Sequence, residues 1–233
     1  MKNSDQDFQS TLDNLLKSRK HIKVLEAGCG SISKVTFKPE TTITGIDISE
    51  KQLERNKMLV EKILGDIQAY DFPKEAYDVI VCTYVLEHLP RPKRALENFS
   101  KAVKKGGFII LTVPNLFSLK GFITKFSPLW FHVFVYKHIY GWENPGHADV
   151  GPFKNYMRLS MSPQFLIYFA KKNNFEIVYV EFADALDSWV RDKLKKKGKW
   201  LFWMVKFWVI FFRIISFGKI RESEFITIFQ KKM

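Results

Sequence analysis

The sequence predicts an α/β fold in which a doubly wound, mostly parallel sheet carries helices on both faces. Three observations lead there. Short β-branched runs alternate with helix-like segments along most of the chain. A Gly-x-Gly turn, Gly28-Cys29-Gly30, directly follows the first of those runs. Glu26, Asp47 and Asp66 stand at the ends of three consecutive runs.

Phe8, Leu12, Leu15 and Leu16 recur at helical spacing, which predicts an amphipathic lead-in helix over residues 5–19. IKVLE (22–26), TITGID (42–47) and KILGD (62–66) read as the first three strands. YDVIVC (77–82) and GFIILTV (107–113) are near-continuous apolar runs, as expected where both faces of a sheet are covered. Between these strands, Ser49 is an N-cap candidate for a helix over 50–60. Pro92 opens a second helix over about 92–103, which Gly106-Gly107 ends. A later helix (163–173) starts at Ser162-Pro163 and precedes FEIVYVEF (175–182); EFITIFQ (224–230) is the last strand. No composition shift marks a second domain, so the chain reads as one domain with insertions at about 115–160 and 184–221.

With 233 residues and 46% hydrophobic content, one large core can form. A net charge of +13 points to a negatively charged partner: anionic lipid, nucleic acid or a phosphorylated substrate. Cys29 and Cys82 are the only cysteines, and no disulfide framework follows from them. The polar, acidic start MKNSDQDFQS does not read as a secretory signal. No uninterrupted apolar run reaches the 18 residues of an ordinary spanning helix. A reducing, cytoplasmic compartment is the expectation.

Glycine at 28 and 30 permits a tight turn and lets a ligand approach bare backbone. Asp47, 17 positions beyond Gly30, is placed to accept both hydroxyls of a ribose; Asp66 is placed to meet an adenine amino group. In an open parallel sheet, ligands bind at the carboxyl ends of the strands. The plainer alternative is that Asp47 caps the following helix and Asp66 starts a turn. Capping does not readily explain three acids in succession.

At these residues the sequence resembles the class I S-adenosylmethionine-dependent methyltransferases, especially those acting on small molecules, quinones and glycans. VLEAGCGS resembles their first motif, GIDIS the acidic second-strand motif and GDI the third. The block YDVIVCTYVLEHLPRPKRALENFSKAVKKGGFIILTVPN resembles their fourth-to-fifth-strand region almost throughout. The likeness is strong over residues 22–115 and looser beyond. It implies a seven-stranded sheet of order 3-2-1-4-5-7-6 with the last strand antiparallel, and S-adenosylmethionine as cofactor. It further implies that Glu26 meets the methionine amino end, that Gly28, Cys29 and Gly30 lie against the cofactor, and that Asp47 and Ile48 flank the ribose. Asp66 and Ile67 would frame the adenine, and Cys82 and Thr83 would line the fourth-strand edge. A nicotinamide dehydrogenase is the rival, but its third fingerprint glycine is Ser33 here.

A sulfonium methyl is already activated, so alignment and exclusion of water can carry much of its transfer. A hydroxyl acceptor must still lose a proton, and His88, just after the fourth strand, is the candidate base. His147, in Pro145-Gly146-His147-Ala148-Asp149, is a second candidate within the insertion expected to build the acceptor pocket. Either histidine could instead be an ordinary loop residue. Some quinone-ring and small-RNA methyltransferases hold a divalent metal with Glu-x-x-Glu-His. Here Tyr84 replaces the first acid, which leaves too few oxygen ligands, so no metal is expected.

Residues 116–142 are dense in aromatics, which the sequence leaves as either a lid's own core or an apolar acceptor channel. Residues 199–217 put Lys199, Lys206 and Arg213 on one narrow helical stripe, with large apolar residues elsewhere and the basic run RDKLKKKGK (191–199) ahead. An anionic membrane surface met through 191–220 is one reading; burial in a dimer or against the sheet is the other. Nucleic acid binding is disfavoured, because the aromatics are continuous instead of interleaved along a polar groove. The sequence thus predicts a cytoplasmic methyltransferase, peripheral at the inner membrane face, that methylates an oxygen of a lipid-linked, glycan or quinone-like acceptor. The alternative is a non-catalytic protein of the same fold that assembles on a membrane or partner through 191–220.

Overall fold

The computed structural model describes residues 4–183 except 34, 39, 139, 140 and 148, together with 207 and 223–233. The predicted segment 191–220 therefore lies outside the described residues, apart from Phe207. The described strands are β1 (Lys23–Ala27), β2 (Thr42–Asp47), β3 (Glu61–Leu64), β4 (Tyr77–Thr83), β5 (Val103–Pro114), β6 (Phe175–Ala183) and β7 (Glu224–Lys231). The helices are α1 (Ser4–Leu15), α2 (Glu50–Arg55), α3 (Pro92–Ala102), α4 (Leu119–Phe126), α5 (Leu129–His138) and α6 (Pro163–Lys172). The strands form one sheet in the order 3-2-1-4-5-7-6, as the resemblance implies. From β3 to β5 all neighbours run parallel, and β7 is antiparallel to both β5 and β6.

The period-two alternation of β4 divides the core between the two faces of this sheet. Ile80 and Cys82 join a cluster with Leu96 and Phe99 of α3 and Leu166 and Phe169 of α6. Val79 and Val81 join the other cluster, with Leu12 of α1 and Leu53 of α2. In α3 the buried residues Pro92, Ala95, Leu96, Phe99 and Ala102 recur at three- and four-residue steps, which makes one apolar stripe. The lead-in helix packs on the sheet in the same way, with Phe8 edge-on to Tyr179 of β6 at 6.0 Å.

Several boundaries differ from the sequence reading: the lead-in helix ends at Leu15 and not at 19, and the third strand at Leu64, two residues before Asp66. Two further differences have a visible cause. The helix expected over 50–60 stops at Arg55, because Asn56 is extended, wholly buried and committed elsewhere. Its side-chain nitrogen donates to the Gly30 carbonyl at 3.3 Å, and its side-chain oxygen accepts from the Met58 amide at 3.2 Å. The fifth strand begins at Val103, before Gly106-Gly107, so the glycines do not end α3. They sit inside the strand, where Gly106 has φ +71° and the β4–β5 register shifts between Tyr77 and Val79. A Cβ on Gly107 would lie 2.9 Å from the Asp78 carbonyl oxygen, so that crossing needs bare backbone.

Phe99 is wholly buried beside Phe72, with ring centroids 6.4 Å apart. Phe99→Ala is expected to cost about 3–5 kcal/mol of stability, read as a lower urea midpoint with an unchanged slope.

Candidate cofactor site

The carboxyl ends of β1, β2 and β3 lie side by side: Glu26 pairs with Gly45, and Asp47 with Leu64. Between them the chain turns at Gly28 (φ +69°) and Gly30 (φ +56°). The turn is held by the second strand, since the amides of Gly28 and Cys29 donate to the Ile46 carbonyl at 2.8 and 3.2 Å. Asp47 then binds on both sides. One carboxylate oxygen accepts from the Gly30 amide and the other from the Ser49 amide, each at 2.9 Å. With Asn56 on its carbonyl, Gly30 is gripped at both backbone polar groups.

No side chain would fit at Gly28. A Cβ there would come within 2.4 Å of a Val85 methyl carbon, and the φ is one that L-residues rarely adopt. The Glu26 carboxylate is buried beneath this turn and accepts a hydrogen bond from the Ser33 hydroxyl. Burial, helped by the negative charges of Asp47 and Glu26, pushes the Cys29 thiol up to about 12, so it stays protonated. The same two carboxylates thus act together on one point of the turn. Ile48, next to Asp47, leaves an apolar side chain 77% exposed.

Asp66 stands at the neighbouring strand end, exposed, and its carboxylate accepts from the Gln68 amide at 2.8 Å and the Gln68 side chain at 3.0 Å. Turn formation and ligand binding are therefore not exclusive readings of Asp47 or Asp66, because each oxygen has a second lone pair. Three expected residues bury their side chains: Ile67 and Cys82 in one core cluster and Cys29 in the other, with the wholly buried Cys82 thiol raised by burial and then by Glu87. Any contact of these three with a ligand therefore falls to their main chains. Thr83 differs: its hydroxyl is shut from solvent and has no hydrogen-bond partner among the described residues.

Beyond β4, Tyr84 adopts φ +56°, a conformation that costs a non-glycine residue about 1–3 kcal/mol and clusters at functional sites. His88 closes the following turn. Its Nδ1 lies 3.0 Å from the Lys154 carbonyl, which can only accept, so Nδ1 carries the proton and Nε2 holds the lone pair. Burial holds its pKa below the ordinary histidine value, outweighing the opposing pull of that carbonyl. The strap carrying Lys154 is pinned in turn, with the Tyr156 and Met157 amides donating to the Glu87 carbonyl at 2.8 and 3.2 Å. Phe153 stands edge-on to the imidazole at 5.8 Å.

His147 is not brought to His88 by any described bond; it is exposed on a turn whose carbonyl accepts from the Val150 amide. That turn reaches the other side of the site. Asp149 pairs with Arg55 of α2, and its carbonyl accepts from Gln52 at 3.2 Å. The sequence reading missed Gln52, Asn56, Val85 and Lys154. Only Asn56 carried a local signal, as a helix-stopping asparagine; the rest act through contacts distant in sequence. Among the described residues no group of three or more His, Cys, Asp or Glu is placed to hold a metal ion.

The residues present fit S-adenosylmethionine: a turn with no room for a Cβ, carboxylates beside it, a bare isoleucine and an orphaned hydroxyl. Gly28→Ala is expected to cost about 1–3 kcal/mol by overpacking against Val85. In a double-mutant cycle with Val85→Ala, the two costs should fall short of additivity by more than about 0.5 kcal/mol in chemical denaturation.

A family model described as a methyltransferase domain matches residues 3–180. A ubiquinone biosynthesis O-methyltransferase of Nitrosomonas europaea is 30% identical over 115 residues, covering 45% of this chain and 48% of the relative. A phosphatidylethanolamine N-methyltransferase of Cereibacter sphaeroides is 28% identical over 99 residues, covering 38% of this chain and 49% of the relative. The chain thus spans about half the length of these relatives. A crystal structure of a SAM-dependent methyltransferase from Methanosarcina mazei matches with a TM-score of 0.54 at 16% identity, covering 96% of this chain and 97% of that one. Turn, strand order and family match agree: the chain belongs to the methyltransferase-domain family, the class I, S-adenosylmethionine-dependent methyltransferases.

Proposed function

We propose that the chain methylates a hydroxyl oxygen of a small-molecule acceptor that is lipid-linked, a glycan or quinone-like. When bound, S-adenosylmethionine supplies a sulfonium methyl that is ready for in-line displacement. The chain's own part is to orient, to exclude water and to take a proton. Glu26, Gly28, Gly30, Asp47 and Ile48 bind the donor around the glycine turn, and Asp66 with the main chain of Ile67 meets its base. The hydroxyl of Thr83 and the main chain of Cys82 bound the crevice at the end of β4. His88 removes the acceptor proton through Nε2, and His147 is the secondary candidate for that role.

The observation that carries this reading is the fixed tautomer of His88. An imidazole held by a carbonyl at Nδ1, and kept neutral by burial, is a base at neutral pH instead of a cation. The similar proteins named for ubiquinone biosynthesis and for phosphatidylethanolamine support a lipophilic acceptor. The basic run 191–199 and the apolar stretch behind it support peripheral contact with an anionic membrane at a cytoplasmic face. No helix among the described residues is long and apolar enough to cross a membrane.

Calorimetry with S-adenosylhomocysteine should detect binding to the wild type, weakened about 10- to 100-fold in Asp47→Ala by loss of a charged acceptor. Absence of binding to the wild type would overturn the reading. Radiolabelled methyl transfer into lipid and glycan extracts identifies the acceptor, and label found on nitrogen would refute the oxygen assignment. His88→Ala should slow turnover about 10²- to 10⁴-fold with donor affinity intact. Because the base must be neutral and its pKa is depressed, kcat/KM should hold across neutral pH and fall only below about 6.5. In His88→Ala that acid limb should vanish.

A further inference from the structure

The sequence left the aromatics of 116–142 as a lid's own core or a channel, yet α5 contains no buried residue at all. Its exposure is ordered. Leu129, Trp130, Phe131, Phe134, Lys137 and His138 are exposed, while His132, Val133, Val135 and Tyr136 are half-buried. Those spacings put all of the exposed set except Leu129, in the first turn, on one side of the helix. A helix on a water-facing surface normally turns polar residues outward, whereas α5 turns outward an aromatic strip that ends at Lys137. Trp130 is 70% exposed and Phe134 52%, and Phe126 at the end of α4 is 66% exposed. Exposed large aromatics gathered on one helix face mark a candidate interaction site.

Charge selects the partner. Between Glu97 and Glu143 the chain has no acidic residue, while Lys120, Lys125 and Lys137 fall within or beside the two helices. Tryptophan at headgroup depth, with lysines beside it, is the chemistry of an anionic bilayer surface. Ten residues of α-helix span about 15 Å, half the roughly 30 Å hydrocarbon thickness, so such a helix lies on the surface and does not cross it.

The position of the helix also suits the purpose. The two helices follow Pro114 and Asn115 at the carboxyl end of β5, on the sheet edge that carries the glycine turn and His88. Val133, on the half-buried side of α5, lies against Gly146, where a Cβ would come within 2.9 Å of it. We infer that the Trp130–Phe131–Phe134 face of α5, with Lys125 and Lys137, docks on an anionic lipid bilayer. These residues are separate in sequence from 191–220, and their docking needs neither donor nor acceptor.

The test is flotation of the full chain with vesicles of phosphatidylcholine alone and of phosphatidylcholine with about one-third phosphatidylglycerol. The wild type should float with the anionic vesicles and much less with the neutral ones. Trp130→Ser combined with Phe134→Ser should weaken that binding at least about tenfold. Lys125→Glu with Lys137→Glu should weaken it by about fivefold per lysine or more, and only on anionic vesicles. S-adenosylhomocysteine affinity, unchanged in both variants, verifies their fold and separates this result from any failure of methyl transfer. Equal flotation with both vesicle types, or none, overturns the inference. So does full binding by either double variant, which would move the lipid contact elsewhere, to 191–220 for example. Sedimentation velocity supplies the last arm: a dimer that Trp130→Ser/Phe134→Ser dissociates, without loss of vesicle binding, would assign this face to a second copy of the chain.

Discussion

The carboxylate of Asp47 ties together three parts of the molecule: the end of β2, the glycine turn and the start of α2. It sits at the end of β2, grips the Gly30 amide through one oxygen and holds the Ser49 amide, at the start of α2, through the other. Hydrogen bonds to an ionised acceptor are about twice as strong as neutral ones, and here both serve a turn with two left-handed glycines. The turn cannot relax toward Val85, because Gly28 already touches it. A glycine turn alone would sample many shapes. Fixed by Asp47 and Asn56, it presents one.

The same constraint explains why the site lies where it does. Parallel strands all end on one edge, and at that edge the backbone groups of β1, β2 and β3 lack further strand partners. Glu26 and Asp47 supply negative charge there, strongly enough to be felt at the Cys29 thiol. That environment suits a ligand bearing an ammonium and a sulfonium better than one bearing a pyrophosphate, which seeks a helix N-terminus.

What could be read from the sequence follows the range of the interactions involved. The strands, the glycine turn and the position of the acids at or just beyond strand ends were legible because each rests on a local pattern, whereas the strand order followed from the family resemblance and not from any local signal. The early stop of α2 at Asn56 had a local hint in the asparagine itself, but its cause did not, since the side-chain amide's partner is Gly30, a long way back in the chain. The burial of the Ile67 and Cys82 side chains was not legible for a related reason. A motif gives the order of residues, but which face of the strand end each occupies depends on the packing of α3 and α6. The tautomer of His88 was wholly hidden, because it depends on the Lys154 carbonyl in a strap far along the chain.

That strap and the turn before it connect the half-buried side of α5 to the surroundings of the glycine turn. From Val133 the packing runs to Gly146, and three residues on Asp149 meets Arg55 and Gln52 of α2. Gln52 in turn lies where a Cβ on Gly30 would touch its side-chain oxygen at 2.9 Å. A few residues further along the strap, Lys154 sets the proton on His88. One stretch of sequence therefore contacts α2 beside the glycine turn, fixes the tautomer of His88 and, through α5, presents an aromatic face to the outside. If the proposed function holds, the element that meets an apolar phase and the carbonyl that orients the proposed base belong to the same insertion, so both are set by one excursion of the chain between β5 and α6.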